Sequence, residues 1–144
     1  MKTEKEQLMQ LGLKIKNFVS DVLSASNINY VINIEVVAEG MIKNIQAKKN
    51  ILMIVKEAVN NTVKHSNASH VAVSIKKIDE HICIQVADDG IGFALPSDSI
   101  KGQGFINMQG RTEELKGYFE ISSIPGKGTT VSALLPIPII SDTH

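Results

Sequence analysis

Three groups of residues in this sequence have the types and spacing to do chemistry. The first is Glu57, Asn60, Asn61, Lys64 and His65, set in a stretch of periodic apolar residues. On a helix, Glu57 and Asn61 share one face with their Cβ atoms about 6 Å apart, and Lys64 joins that face three residues later. Carboxylate and amide oxygens are hard ligands of the kind Mg²⁺ takes, and a neighbouring lysine suits a phosphate. Asn is a poor helix former, so two in succession among Ala, Val and Ile need a reason. A solvated helix edge is the competing account. The second group is Ala87-Asp-Asp-Gly-Ile-Gly-Phe93, at the end of a strand-like run. A carboxylate at a strand end can accept from an exocyclic amine such as that of adenine, and flanking glycines let backbone approach a flat ring. Asp-Gly is equally a turn dipeptide, although a turn needs neither the second acid nor the second glycine. The third group is Gly102-Gln-Gly104-Phe-Ile-Asn107. Glycines before a helix start can present free N–H groups and the positive end of the helix dipole to phosphate. Neither a GxxxxGK[ST] loop nor a GxGxxG opening a βαβ unit is present.

The elements that must hold these groups follow from periodicity. Leu8, Leu11, Ile15, Phe18, Val19, Val22 and Leu23 form one helical stripe between Glu4 and about Ala25. Tyr30 to Val37 is β-branched and alternating, which predicts a strand. Ala47 to Lys64 reads as a long helix with Ile51, Ile54, Val55, Ala58, Val59 and Thr62 on one side. Val71–Ile78 and Ile82–Ala87 read as a hairpin around Asp79-Glu80. Phe93 to Gln103, with Pro96 and a run of small polar residues, reads as a mobile loop. Phe105–Lys116 is a short helix stopped by Gly117. Gly110 inside it costs about 1 kcal/mol relative to Ala. Tyr118–Ser123 and Thr129–Leu135 are strands around Pro125-Gly-Lys-Gly128, and the sequence from Pro136 onward loses its period and is expected to fray. Helices and mostly antiparallel strands in this order predict a two-layer α/β sandwich: about five strands against about three helices.

At 144 residues the chain is one domain's worth, enough to bury a core without disulfides. Its 43% hydrophobic and 21% charged residues are those of a soluble globular protein. Fifteen basic residues balance fifteen acidic ones, so no basic field invites nucleic acid. The lone Cys83 is expected to be a small buried hydrophobe, in keeping with a reducing compartment. The charged N-terminus has no apolar signal-peptide core, and no run approaches the roughly 18 apolar residues of a membrane span. A cytoplasmic domain without direct membrane contact is expected.

Taken in order, the three groups resemble the boxes of one superfamily. Lys56-Glu-Ala-Val-Asn-Asn-Thr-Val-Lys-His-Ser66 is similar to its N box and Asp88-Asp-Gly-Ile-Gly-Phe93 to its G1 box. Gly102-Gln-Gly-Phe-Ile-Asn-Met108, with Arg111 and Glu113-Glu-Leu-Lys-Gly117, is similar to its G2 region, and Pro125-Gly-Lys-Gly-Thr129 to its closing turn. The chain thus resembles the ATP-binding catalytic domain of bacterial two-component sensor histidine kinases, of the short-lid nitrate-sensor type. That domain belongs to the GHKL superfamily with gyrase-type topoisomerases, MutL proteins and one chaperone class. The resemblance covers residues 10 to 136, leaving 1–9 as a linker or the end of an upstream dimerisation helix and 137–144 as a tail. It implies the Bergerat form of the α/β sandwich, and ATP and Mg²⁺ as cofactors. Asp88 would accept from the adenine amino group, with Gly90, Gly92 and Phe93 lining adenine and the lid hinge. Asn61 would hold Mg²⁺, and Glu57 would assist the metal or position the reacting group. Lys64 would meet phosphate, His65 the base or ribose, and Asn60 would lie with them. Gly102, Gly104 and Phe105 would close on phosphate, and Thr129 would back the adenine. The catalytic role would rest on Glu57, Asn61 and Lys64, and Arg111 would touch the lid or cap its helix.

A kinase of this type also needs a phosphorylatable histidine, usually followed by an acid on a dimerising helix. His65, His70 and His81 precede Ser, Val and Ile, and His144 is terminal, so none fits. The chain is expected to bind ATP/ADP without phosphorylating itself and to be monomeric. Its expected partners are upstream phosphoacceptor helices and a response regulator, with no nucleic acid. The alternative is a stand-alone regulatory ATPase that phosphorylates serine, of the anti-sigma-factor type.

Overall fold

The computed structural model describes residues 10–94 and 102–143. In chain order these form α1 (Leu11–Ala25), β1 (Asn29–Ile34), α2 (Val36–Gly40), α3 (Ile45–His65), β2 (His70–Ile78), β3 (His81–Asp88), α4 (Gln103–Glu114), β4 (Tyr118–Ile124), β5 (Gly128–Pro136) and α5 (Ile137–Ile140). The strands make one five-stranded sheet in the order β1-β2-β3-β5-β4. β1 runs parallel to β2, and the other three pairings are antiparallel. The long helices α1, α3 and α4 cover one face, which is the expected two-layer sandwich.

Register explains the core. Side chains alternate across a strand, so residues paired across the sheet share a face. Ile34, Ile75, Ile84, Ala133 and Phe119 stand opposite one another in one row, and Ile32, Val73, Val86, Val131 and Ile121 in the next. These rows meet the buried stripes of the helices: Ile15, Val19 and Leu23 from α1, and Ile51, Val55 and Val59 from α3. A third row, Val71–Asp88–Thr129–Ser123, follows at the end of the sheet. It turns polar where the core stops.

Several elements differ from expectation. The β-branched run to Val37 does not continue β1. The Glu35 N–H bonds Ile75 O and its carboxylate accepts from Lys77 N, which ends the pairing, and a five-residue helix follows. Val36 and Val37 face solvent, so their strand propensity meets no sheet. α1 starts at Leu11 after an extended Gln10, where the Glu39 carboxylate accepts from Gly12 N at 2.7 Å. Of the earlier expected helix start, residues 4–9 lie outside those described. α3 starts two residues before Ala47, because the Asn44 side chain caps it by accepting from Ala47 N. The stop of α4 is Lys116, at φ +58°, rather than Gly117. The end of the chain is not frayed over residues 137–140: α5 buries Ile140, whose carbonyl accepts from Lys43 N and Asn44 N. Cys83 is half-buried on the sheet face turned away from the helices, where desolvation raises its thiol pKa.

Candidate functional site

The two adjacent aspartates point opposite ways, and strand parity decides which way. Ile82, Ile84, Val86 and Asp88 are alternate residues of β3 and share the face toward the helices. Asp88 therefore ends an apolar row with a carboxylate aimed between the layers. Its Oδ2 accepts from Thr62 Oγ1 of α3 at 3.3 Å and its Oδ1 from Gly90 N at 2.8 Å. Asp89 turns outward. Its Oδ1 accepts from Ser69 N and His70 N at 2.8 and 2.9 Å, and its Oδ2 meets His70 Nδ1 at 3.0 Å. The backbone N–H groups of His70 and Ser69, with the His70 ring, hold its carboxyl below the usual carboxylate range. Asp89 is a fastener for the start of β2.

Gly90 and Gly92 are both required by close approach. A Cβ on Gly90 would strike the backbone of Ser66 at the end of α3, and Gly92 has φ +61° and a Cβ there would strike Ile124 O. Between them Ile91 is held from two sides, donating to Ser66 O at 2.7 Å and accepting from Gly126 N at 2.6 Å. The loop after β3 is thus tied both to α3 and to the β4–β5 turn. Phe93 N then donates to Ser123 Oγ, which also meets Thr129 Oγ1 at 2.8 Å.

These groups surround a cavity of about 620 Å³, within the range of small-molecule sites. Its walls are apolar where Ala58, Val86, Ile91, Met108 and Val131 meet. Asp88, Thr62 and Thr129 supply polar groups at the sheet end, and Asn61 and His65 supply them along α3. The other boundary is the start of α4, with Gly102, Gln103, Gly104 and Phe105. Phe93 and Phe105 meet edge to face, with centroids 6.2 Å apart. A Cβ on Gly104 would lie 2.9 Å from Asn61 Nδ2 and 3.2 Å from Glu57 Oε2. The glycine lets α4 begin directly against the amide–carboxylate face of α3. Asn107 Nδ2 lies 3.5 Å from Glu57 Oε1, and Gln103 Nε2 donates to Asn107 Oδ1 at 2.9 Å.

Asn61, His65, Asp88, Gly92, Phe93, Gly102, Gly104, Phe105 and Thr129 therefore converge on one cavity. Glu57 stands at its rim beside Gly104. Asn60, Lys64 and Gly90 do not line it. Gly90 sits behind it, and Lys64 lies in the last turn of α3, where a cation also suits the helix dipole. The expected mobile loop falls largely on residues 95–101, which lie outside those described. Sequence reading missed Thr62, Ser66, Ile91, Gln103, Met108 and the wall formed by Ala58, Val86 and Val131. Thr62 falls on the apolar stripe of the helix, and its position three turns along from Ile51 on a buried face gives no sign of an Asp88 partner. Arg111 does not reach the cavity; its Nη1 donates to Asn50 Oδ1 at 3.2 Å.

A family model described as histidine kinase-, DNA gyrase B- and HSP90-like ATPase matches residues 46–139. The chain belongs to this ATPase family. It is an ATP-binding domain of the GHKL superfamily, and the match takes in all three groups of candidate residues. An uncharacterised sensor-like histidine kinase of Chloroflexus aurantiacus is 34% identical over 90 residues, covering 58% of this chain and 15% of that protein. The sensor protein VraS of Staphylococcus aureus is 31% identical over 88 residues, covering 61% of this chain and 25% of VraS. The chain thus spans a quarter or less of the length of these relatives. Among solved structures, the histidine kinase domain of the blue-light activated kinase EL346 of Erythrobacter litoralis superposes with a TM-score of 0.74 at 17% identity, covering 92% of this chain and 68% of that one. The catalytic domain of histidine kinase ThkA gives 0.70 at 12% identity, over 88% and 90% of the chains. Full-length ShkA in complex with AMPPNP gives 0.69 at 16% identity, over 89% and 30%. At these identities the superpositions establish the GHKL fold. The relatives by sequence are sensor kinases, which favours the histidine-kinase expectation over a regulatory serine kinase. No helix among the described residues is long and apolar enough to cross a membrane.

Proposed function

We propose that this chain is the catalytic domain of a two-component sensor histidine kinase, the expected span of residues 10–136 being extended by α5, which packs with it. In this reading it binds Mg-ATP in the cavity between β3, α3 and α4 and presents the γ-phosphate to a histidine on a dimerisation helix. The observation that carries the reading is the parity of β3, which ends an apolar row with Asp88 facing the cavity, opposite Thr129. An adenine ring needs that combination: apolar walls for its faces and one acceptor for its amino group. The Thr62 and Gly90 donors fix the Asp88 carboxylate, leaving its remaining lone pairs for the ligand.

At the other end, Asn61 and Glu57 offer oxygens beside the start of α4. Among the described residues no cluster of three or more His, Cys, Asp or Glu could hold a metal alone. That fits Mg²⁺, which commonly takes one or two protein oxygens and completes its shell with phosphate and water. Asn61, assisted by Glu57, would hold it, and it would supply charge neutralisation of the phosphates. Gly102 and Gly104 would bring backbone N–H groups to the same phosphates. Lys64 and Asn60, outside the cavity wall, would meet only the outer part of the ligand, and His65 would face the base or ribose. Phosphoryl transfer needs mainly positioning and charge stabilisation, which these groups supply. The full-length protein's sensor, its phosphoacceptor helices, its response regulator and a cytoplasmic location of this domain belong to the same proposal. It is supported by the sensor-kinase relatives and by AMPPNP in ShkA.

Calorimetric titration with ADP and with a non-hydrolysable ATP analogue, with and without Mg²⁺, tests the site. We expect Mg²⁺-linked binding in the micromolar range, and a loss of about 100-fold in Asp88→Asn, where an N–H donor opposes the adenine amine. Unchanged affinity in a folded Asp88→Asn chain would remove the adenine assignment.

A further inference from the structure

Asn50 is fully buried, yet it lies on α3 eleven residues before Asn61, roughly 16 Å along the helix axis and away from the cavity. All of its hydrogen-bonding capacity is used. Its Nδ2 donates to Arg111 O at 3.2 Å and to Glu114 Oε2 at 2.9 Å. Its Oδ1 accepts from Arg111 Nη1 at 3.2 Å and from Gln46 Nε2 at 3.5 Å. Gln46 Nε2 also reaches Glu114 Oε2 at 3.1 Å. One buried amide thus ties the first half of α3 to the last turns of α4.

The two joined helices are those that form the phosphate end of the proposed site. α3 carries Glu57 and Asn61, and α4 starts with Gly102, Gly104 and Phe105 at the cavity. Apolar contact between helices is non-directional and tolerates sliding. Three directional bonds between Asn50 and α4 instead fix the height and rotation of α4 on α3, and Gln46 of α3 completes the amide's partners. Because Gly104 sits against the side-chain ends of Asn61 and Glu57, which a methyl group there would displace, a shift of α4 by a fraction of an ångström changes what the phosphates meet.

We infer that Asn50 is a positioning residue for phosphate recognition, acting through Arg111 and Glu114 on the register of α4. This rests on the nucleotide-site reading above. The adenine end is held by β3, β5 and the loop after β3, which the Asn50 network does not touch, so the two ends should respond differently.

The test compares ADP and adenosine binding to the 144-residue chain by calorimetry and NMR titration. Asn50→Asp sets a second carboxylate against Glu114 and removes the donor to Arg111 O. We expect it to weaken ADP about tenfold while adenosine changes by less than about twofold. Asn50→Asp combined with Glu114→Gln restores a carboxylate–amide pair of reversed polarity and should regain most of the ADP affinity. Glu114→Gln alone, at the more exposed end of the network, should give a smaller loss in the same direction and serves as the readout if Asn50→Asp does not fold. Equal weakening of ADP and adenosine, or no rescue in the double variant, would overturn the inference. Absence of adenine-nucleotide binding in the unsubstituted chain would instead sink the site reading itself.

Discussion

Asp88 and Asp89 share a residue type and a position in the chain, and strand parity gives them different work. Asp89 is bound by two backbone N–H groups and the His70 ring at the entry to β2. Its pKa is lowered in the folded state, so its contribution to stability is present above the unfolded carboxylate value and is lost as pH falls through the lowered folded value. Asp89→Asn should therefore lower the thermal midpoint modestly at pH 7. The gap between variant and parent should close as the pH is taken below the ordinary Asp range, about 4. A gap that stays constant down to pH 2.5 or so would mean that the carboxylate charge plays no part. The group is half exposed, so solvent screening keeps the effect small. The parity that separates the two aspartates was already contained in the alternation of Ile82, Ile84 and Val86. That alternation sets Asp88 on the inward row, where it lines the cavity, but it gives no means of finding Asp89's partners, because Ser69 and His70 come together with it only through the β2–β3 pairing.

At the scale of elements, α4 carries two local costs that packing elsewhere offsets. Gly110 is a helix-interior glycine with nothing within 4 Å of where a Cβ would stand. Lys116, just past the end of the helix, holds φ +58°, a left-handed conformation that penalises any residue with a side chain. Gly110→Ala and Lys116→Gly should each raise stability, by about 1 kcal/mol for the first and by about 1 kcal/mol for the second. Urea unfolding would show this as higher midpoints at unchanged slope. No gain from Gly110→Ala would mean that a helix-interior methyl group meets something at that position. The same element marks how far pattern reading reaches. The existence of α4 and its G-x-G start were legible. Its stop was not, because the usual glycine at the left-handed position is displaced by one residue. The strand expected over Tyr30–Val37 overruns the first two residues of α2 for a related reason: β-branching marks residues that fit a sheet, and Val36 and Val37 have none to fit. Asn50 looked like one polar residue among others at the start of a long helix. Only the return of the chain some sixty residues later makes it a buried node.

For the molecule as a whole, the cavity is assembled from parts distant in sequence. β3, the loop after it, β5 and two helices meet there, and none of them closes the site alone. A ligand bound in this position ties the sheet end to the α3–α4 pair, so it should stabilise the domain as a unit rather than one element. Linkage sets the size of the effect. At a ligand concentration 100 times Kd, the folded state gains about 2.7 kcal/mol. For a domain of this length that corresponds to a rise in thermal midpoint of roughly 8 °C. Mg-ADP should produce such a shift in the 144-residue chain, and Asp88→Asn should abolish most of it while leaving the ligand-free midpoint nearly in place. Hydrogen exchange gives the spatial readout: protection should rise together at Thr62–Ser66, at Asp89–Phe93 and at the first turn of α4. Protection confined to α4 would place the ligand on the helix start alone and leave the apolar floor of Val86, Met108 and Val131 without a role in binding. A joint rise would mean that the polar third row of the sheet and the amide–carboxylate face of α3 grip the two ends of one molecule. That two-ended grip is what a phosphate donor requires, since adenine affinity is useful to transfer only if it fixes the phosphate at the far end.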